Sequence, residues 1–104
     1  MELDISHATL EKLLTQTSLK QRYVIGVPLE REIDEHRVGL TPRAVLLLIE
    51  AGHEVRVEAN AGAMAGFNNV DYVEVGASIV GIEEVFDVDV IFKILPLNLM
   101  ERTV

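Results

Sequence analysis

Cysteine is absent from the 104 residues, which excludes disulfides and thiolate metal sites and leaves the redox compartment open. Positive charge is scarce. Nine Lys and Arg stand against 17 Asp and Glu, for a formal net charge of −8. That balance argues against a nucleic-acid phosphate backbone or an anionic membrane as partner. No apolar run approaches the roughly 18 residues of a membrane-spanning helix. The opening Met1-Glu2-Leu3-Asp4 lacks the basic-then-apolar order of a signal peptide, so a cytoplasmic location is expected. Motifs are missing too. The glycines between Ala59 and Phe67 follow neither Gly-x-Gly-x-x-Gly nor a Gly-Lys-Ser/Thr pattern, so no phosphate cradle is expected. His7, His36 and His53 are scattered, and none falls in a triad-like context with Ser or Cys. Glu30, Glu32, Asp34 and Glu35 lack the register of an EF-hand, and a solvated acidic loop is the simpler reading.

What remains is ample for one domain with a core, because at this length about 65% of the unfolded surface can be buried. Residues 1–20 have the spacing of an amphipathic helix, with Leu10, Leu13, Leu14 and Thr17 on one side. We read residues 1–22 as a helical extension and 23–104 as the domain proper. Tyr23 to Pro28 is a continuous apolar run of strand-forming residues, as in a parallel sheet covered on both faces. A helix is expected from Pro42 to Ala51, with Gly52 at its left-handed cap. Glu54 to Glu58 alternates as a strand, Val70 to Val75 is a short helix, Ala77 to Val80 a brief strand and Ile82 to Phe86 a helical turn. Val88 to Leu95 reads as the strongest strand, stopped by Pro96. This order predicts an α/β fold, an open and mainly parallel sheet flanked by helices, Rossmann-like but without the dinucleotide motif.

Two cations stand out. Arg37 lies in Glu35-His36-Arg37-Val38-Gly39-Leu40-Thr41-Pro42, between the first strand and a helix start marked by the Thr41 cap and Pro42. Leu40 can staple onto Val45 and fix the chain's entry into the helix. Lys93 lies among Ile91, Phe92, Ile94 and Leu95, where it must snorkel out, find an acid or accept a depressed pKa. No buried acidic partner is evident for it, Glu30 being the first candidate. In an open parallel sheet, ligands sit beyond the carboxyl ends of the strands, and both cations follow such ends. An Arg fork suits a carboxylate, and a Lys suits a carbonyl oxygen that gains charge. The residues alone reach "small anionic ligand", against a surface-loop arginine and a snorkelling lysine. His36 beside Arg37 would reach the same ligand or stay solvated.

Val24-Ile-Gly-Val-Pro-x-Glu30, Arg37-Val-x-Leu-Thr-Pro42, Ala51-Gly-His-Glu-Val55, Glu58, Ala61-Gly62, Phe67, Asp71-Tyr72, Gly76-Ala77 and Ile91-Phe-Lys93 follow one another at characteristic distances. Together they resemble the amino-terminal domain shared by alanine dehydrogenase and the alpha subunit of nicotinamide nucleotide transhydrogenase, over residues 23 to 97 and closer to the former. The resemblance implies an NAD-dependent enzyme interconverting L-alanine with pyruvate and ammonia. It places pyruvate binding on Arg37 and Lys93, with Lys93 also catalytic, no metal, and a homo-oligomer at full length. The alternatives are the transhydrogenase alpha subunit and a non-catalytic small-anion-binding module. Leu29 stands where the family usually has Lys or Arg, and Ile94-Leu-Pro-Leu97 departs from Val-x-x-Pro. The family's catalytic histidine and aspartate and its NAD-binding domain would come later than Val104. The chain is therefore expected to be a truncated piece, inactive by itself.

Overall fold

A computed structural model describes residues 22–32, 34–95 and 101; the helix expected over 1–20 and the strand stop at Pro96 lie outside these residues. The elements are β1 (Val24–Val27), α1 (Pro42–Glu50), β2 (Glu54–Glu58), a 3-10 turn (Ala63–Ala65), α2 (Asn69–Glu74), β3 (Ser78–Val80), α3 (Ile82–Phe86) and β4 (Val90–Ile91). The strands form one all-parallel sheet in the order β3-β2-β1-β4. The chain thus winds outward from β1 through β2 to β3, then returns to add β4 on the other edge of β1. The winding reverses between β1 and β4, the place where open α/β sheets leave a crevice.

Continuous apolarity in β1 matches burial on both of its faces. Ile25 and Val27 join Val55 and Val57 of β2, Val45 and Leu48 of α1 and Tyr72 of α2 in one core. On the other face Gly26 lets α3 close in, since a Cβ there would lie 2.1 Å from the Val85 carbonyl oxygen. Arg56, the register partner of Gly26, donates to the carbonyls of Glu84 and Asp87 at 3.3 and 3.1 Å and so closes the end of α3.

Helix α1 is fixed at both ends by local chemistry. The Thr41 hydroxyl accepts the Ala44 N–H at 3.3 Å, Pro42 takes the first helical position, and Leu40 and Val45 are both buried in the core. At the far end Gly52 has φ +101°, and the N–H groups of Gly52 and His53 donate to Ile49 and Leu48. That is a Schellman closure. Helix α2 begins with the Asp71 carboxylate accepting the Asn68 N–H at 2.7 Å.

One element differs from its sequence reading. The strand expected over 88–95 pairs only at Val90–Ile91. The reason lies on β1. Even-numbered residues of β1 face β4: the Val24 and Gly26 carbonyls accept the Asp89 and Phe92 N–H groups. The next donor on that edge is Pro28, which has no N–H. The ladder ends there, and Lys93 lies beyond the strand rather than inside it.

Tyr72 ties α2 to the turn that leads into α1. Its side chain is fully buried, and its hydroxyl donates to the Leu40 carbonyl at 2.8 Å. Burial, helped by the nearby Asp71 charge, pushes its pKa up from 10.0 to about 12. The folded state therefore holds this proton more tightly, a contribution complete below pH 10 and lost as pH rises from 10 to about 12. Tyr72→Phe should cost about 1–3 kcal/mol at neutral pH, because it strands a buried acceptor. It should also remove part of the alkaline loss. Urea denaturation at pH 7, 10 and 11.5 checks both.

Candidate functional site

The acidic loop after β1 is not uniformly solvated, as its composition suggested. Glu32 and Asp34 are exposed, but the Glu30 side chain is only 2% exposed. Its carboxylate accepts from Lys93 Nζ at 2.8 Å, from the Ile94 N–H at 2.8 Å and from the Leu95 N–H at 3.3 Å. Lys93 therefore does not snorkel; it is 6% exposed and finds an acid. It finds a second in Glu101, whose Oε1 is 3.6 Å from Nζ.

Three further residues complete this cluster, of which Arg31 and Glu101 were not singled out in the sequence and Glu58 was only part of the family pattern. Arg31 binds the carboxylates of both Glu101, at 2.9 Å, and Glu58, and closes onto the Leu29 carbonyl at 2.8 Å. Glu58 also accepts the Leu29 N–H at 3.0 Å. Two cations and three carboxylates thus meet at the carboxyl side of β1, β2 and β4, all of them largely buried. Glu58 did carry a signal, since it ends β2 at the sheet edge where ligands collect. Glu101 carried none, lying ten residues beyond Ile91, where β4 ends. Leu29, at a position usually basic in the resembling family, takes no charge role here; it packs against the core.

Arg37 is placed differently. It is 71% exposed, and Glu35 grips it: Oε2 accepts from Nε at 2.8 Å and from the backbone N–H at 2.9 Å, while Oε1 accepts from Nη2 at 2.8 Å. These hydrogen bonds, side chain first and backbone second, hold the Glu35 carboxyl at about 2, well below the usual carboxylate range. His36 between them is exposed. His53 lies elsewhere, buried, with Nδ1 accepting the Tyr23 N–H at 3.1 Å.

The two cationic segments meet through main chain. A Cβ on Gly39 would lie 2.1 Å from the Phe92 carbonyl oxygen and 3.1 Å from the Lys93 nitrogen. Gly39 is two residues from Arg37, so the arm bearing the arginine lies directly on the strand exit bearing the lysine. The result is an exposed guanidinium and a buried ammonium on touching segments beyond the carboxyl ends of β1 and β4.

The described residues do not fit a dinucleotide. The β1–α1 connection begins with Pro28 and is occupied by the ion cluster, and the first turn of α1 is closed by Thr41 and Pro42. No tight glycine turn presents free N–H groups to a pyrophosphate. Among the described residues no group of three or more His, Cys, Asp or Glu is arranged to hold a metal ion. Nor is any helix among them long and apolar enough to cross a membrane.

The all-parallel sheet and the paired charges beyond its carboxyl ends thus define a parallel α/β domain. Comparison with known proteins narrows the class. Residues 26–104 match the family model described as alanine dehydrogenase/PNT, N-terminal domain, and the chain belongs to that family. Alanine dehydrogenase 2 of Staphylococcus aureus (strain USA300) is 49% identical over 71 residues, which are 67% of this chain and 19% of that protein. Among solved structures, an L-alanine dehydrogenase superimposes with a TM-score of 0.66 at 43% identity, covering 70% of this chain and 21% of the other. A transhydrogenase from Sinorhizobium meliloti superimposes with a TM-score of 0.74 at 26% identity, covering 77% and 24%. The chain spans about a fifth of the length of these relatives.

Two outcomes follow from the packing. Lys93→Met removes the cation between Glu30 and Glu101 and leaves both buried carboxylates without it. Stability should fall by about 3–5 kcal/mol, the cost of breaking a buried pair, and Lys93→Arg should recover part of it. An unchanged denaturation midpoint for Lys93→Met would contradict the pairing. Gly39→Ala should cost about 1–3 kcal/mol in the same assay, because the atom it would strike is a backbone carbonyl that cannot rotate away.

Proposed function

We propose that this chain is the substrate-side domain, residues 23–104 after an extension over 1–22, of an NAD-dependent alanine dehydrogenase that interconverts L-alanine with pyruvate and ammonia. The observation that carries this reading is the pair of cations held on touching segments at the β1/β4 crevice, in a chain 49% identical over 71 residues to an alanine dehydrogenase. Arg37 binds the substrate carboxylate through its planar N–H pairs. Lys93 donates from Nζ to the carbonyl oxygen of pyruvate. As ammonia adds to the carbonyl carbon, the C=O electron pair moves onto that oxygen, and a fixed ammonium beside it stabilises the developing charge. Glu30 and Glu101 hold Nζ in place and prevent it from swinging to solvent.

Hydride chemistry belongs to NAD, held by a domain outside these residues. Homo-oligomeric assembly and a cytoplasmic location of the whole protein are part of the same proposal. The transhydrogenase alpha subunit is the second reading, favoured by the higher TM-score of that neighbour. Alanine-dependent turnover of the whole protein separates the two.

The test is Arg37→Lys in the whole protein, which keeps the charge and loses the fork. Pyruvate binding should weaken by about 1.5–3 kcal/mol, roughly tenfold to a hundredfold. Unchanged pyruvate constants would return Arg37 to the role of a surface arginine. The 104-residue chain alone should give no alanine-dependent reduction of NAD, and measurable turnover by it would overturn the division into two domains.

A further inference from the structure

The Glu35–Arg37 contact uses one edge of the guanidinium. An arginine can offer a carboxylate either its Nε/Nη pair or its two terminal nitrogens. Glu35 takes the Nε and Nη2 edge and the backbone N–H of the same residue, so three donors of Arg37 converge on one carboxylate. Nη1 has no protein partner among the described residues. The burial is just as asymmetric: the Glu35 side chain is 8% exposed, whereas that of Arg37 is 71% exposed. Glu35 is itself held by its backbone, its N–H donating to the Glu32 carbonyl at 3.1 Å. Gly39, two residues on, is pressed against the Phe92 carbonyl.

We propose that Glu35 is a positioning residue that grips Arg37 from behind and presents the terminal Nη1/Nη2 edge to the ligand carboxylate. This rests on the reading of Arg37 as the carboxylate clamp. The physical gain is entropic. A free arginine loses rotamer freedom when it binds, and one already clamped along Nε has little left to lose. The opposite role is chemically possible, with Glu35 acting as an internal carboxylate that a ligand must displace from the fork. The geometry favours positioning, because a ligand has a second edge to bind and need displace nothing. The two roles predict opposite signs.

The experiment is a pyruvate titration of the whole protein carrying nitrogen-15 arginine, in which nuclear magnetic resonance follows the Arg37 Nε–H signal. Wild type, Glu35→Ala, Glu35→Gln and Arg37→Ala are compared. Positioning predicts that Glu35→Ala weakens pyruvate binding about tenfold, the scale of the rotamer freedom restored to a loose arginine. Gln keeps one acceptor for the guanidinium and should give a smaller loss. The Arg37 Nε–H should be rigid in wild type and mobile on the nanosecond scale in Glu35→Ala, a change that a general loss of stability would not confine to this group. Equal or tighter pyruvate binding by both Glu35 variants, with binding still abolished in Arg37→Ala, overturns the positioning role alone. Binding that survives Arg37→Ala, or its absence in wild type, overturns the clamp reading and the positioning role with it.

Discussion

The Glu30 carboxylate is the interaction on which the rest of the crevice depends. It sits on the strand exit after Pro28 and answers three donors at once: Lys93 Nζ and the N–H groups of Ile94 and Leu95. In doing so it replaces the ladder that Pro28 terminates. Without a carboxylate there, two backbone N–H groups and an ammonium would all need other partners at a site water scarcely reaches. Glu30 thus both turns the chain out of the sheet and fixes the cation at the turn.

Around it the charges form a connected set rather than isolated pairs. Arg31 links Glu58 at the end of β2 to Glu101, and Glu101 returns to Lys93. Buried pairs of this kind add little net stability over apolar packing, but they are costly to break. Their value is geometric, because each member is oriented by at least one other. Arg37, by contrast, is oriented by a single neighbour and left open to solvent. A buried, over-determined lysine and an exposed, singly held arginine suit different tasks. The first suits holding a charge in place; the second suits receiving a ligand from solution.

Most of the fold was legible because its signals are local. Thr41-Pro42 and Gly52 bracket α1, the continuous run of β1 reports two covered faces, and the alternation of β2 reports one. The overlong reading of β4 failed for a non-local reason. Its apolar pattern is real, but its length is limited by a proline just past a different strand, more than sixty residues earlier. Of the candidate site, Arg37 and Lys93 were singled out in the sequence and Arg31 was not. Arg37 and Lys93 stand out because a cation among apolar or tightly capped neighbours is locally odd. Glu35 and Glu101 do not stand out in a chain with 17 acidic residues, whereas Glu30 was the candidate acid for Lys93 and Glu58 part of the family pattern. Only tertiary placement separates those that are buried and paired from Glu32 and Asp34, which are simply wet.

The contact between Gly39 and the Phe92 carbonyl has a consequence for how such a crevice can diverge. Pockets usually change size when a lining side chain is exchanged for a larger or smaller one. Here the two cationic arms touch backbone to backbone, at a residue that has no side chain to trim and no room to gain one. Their mutual spacing works as a ruler made of main chain. Under the proposed function, discrimination among small acids of different length would then come from the side chains, while the backbone contact between the two arms stays constant.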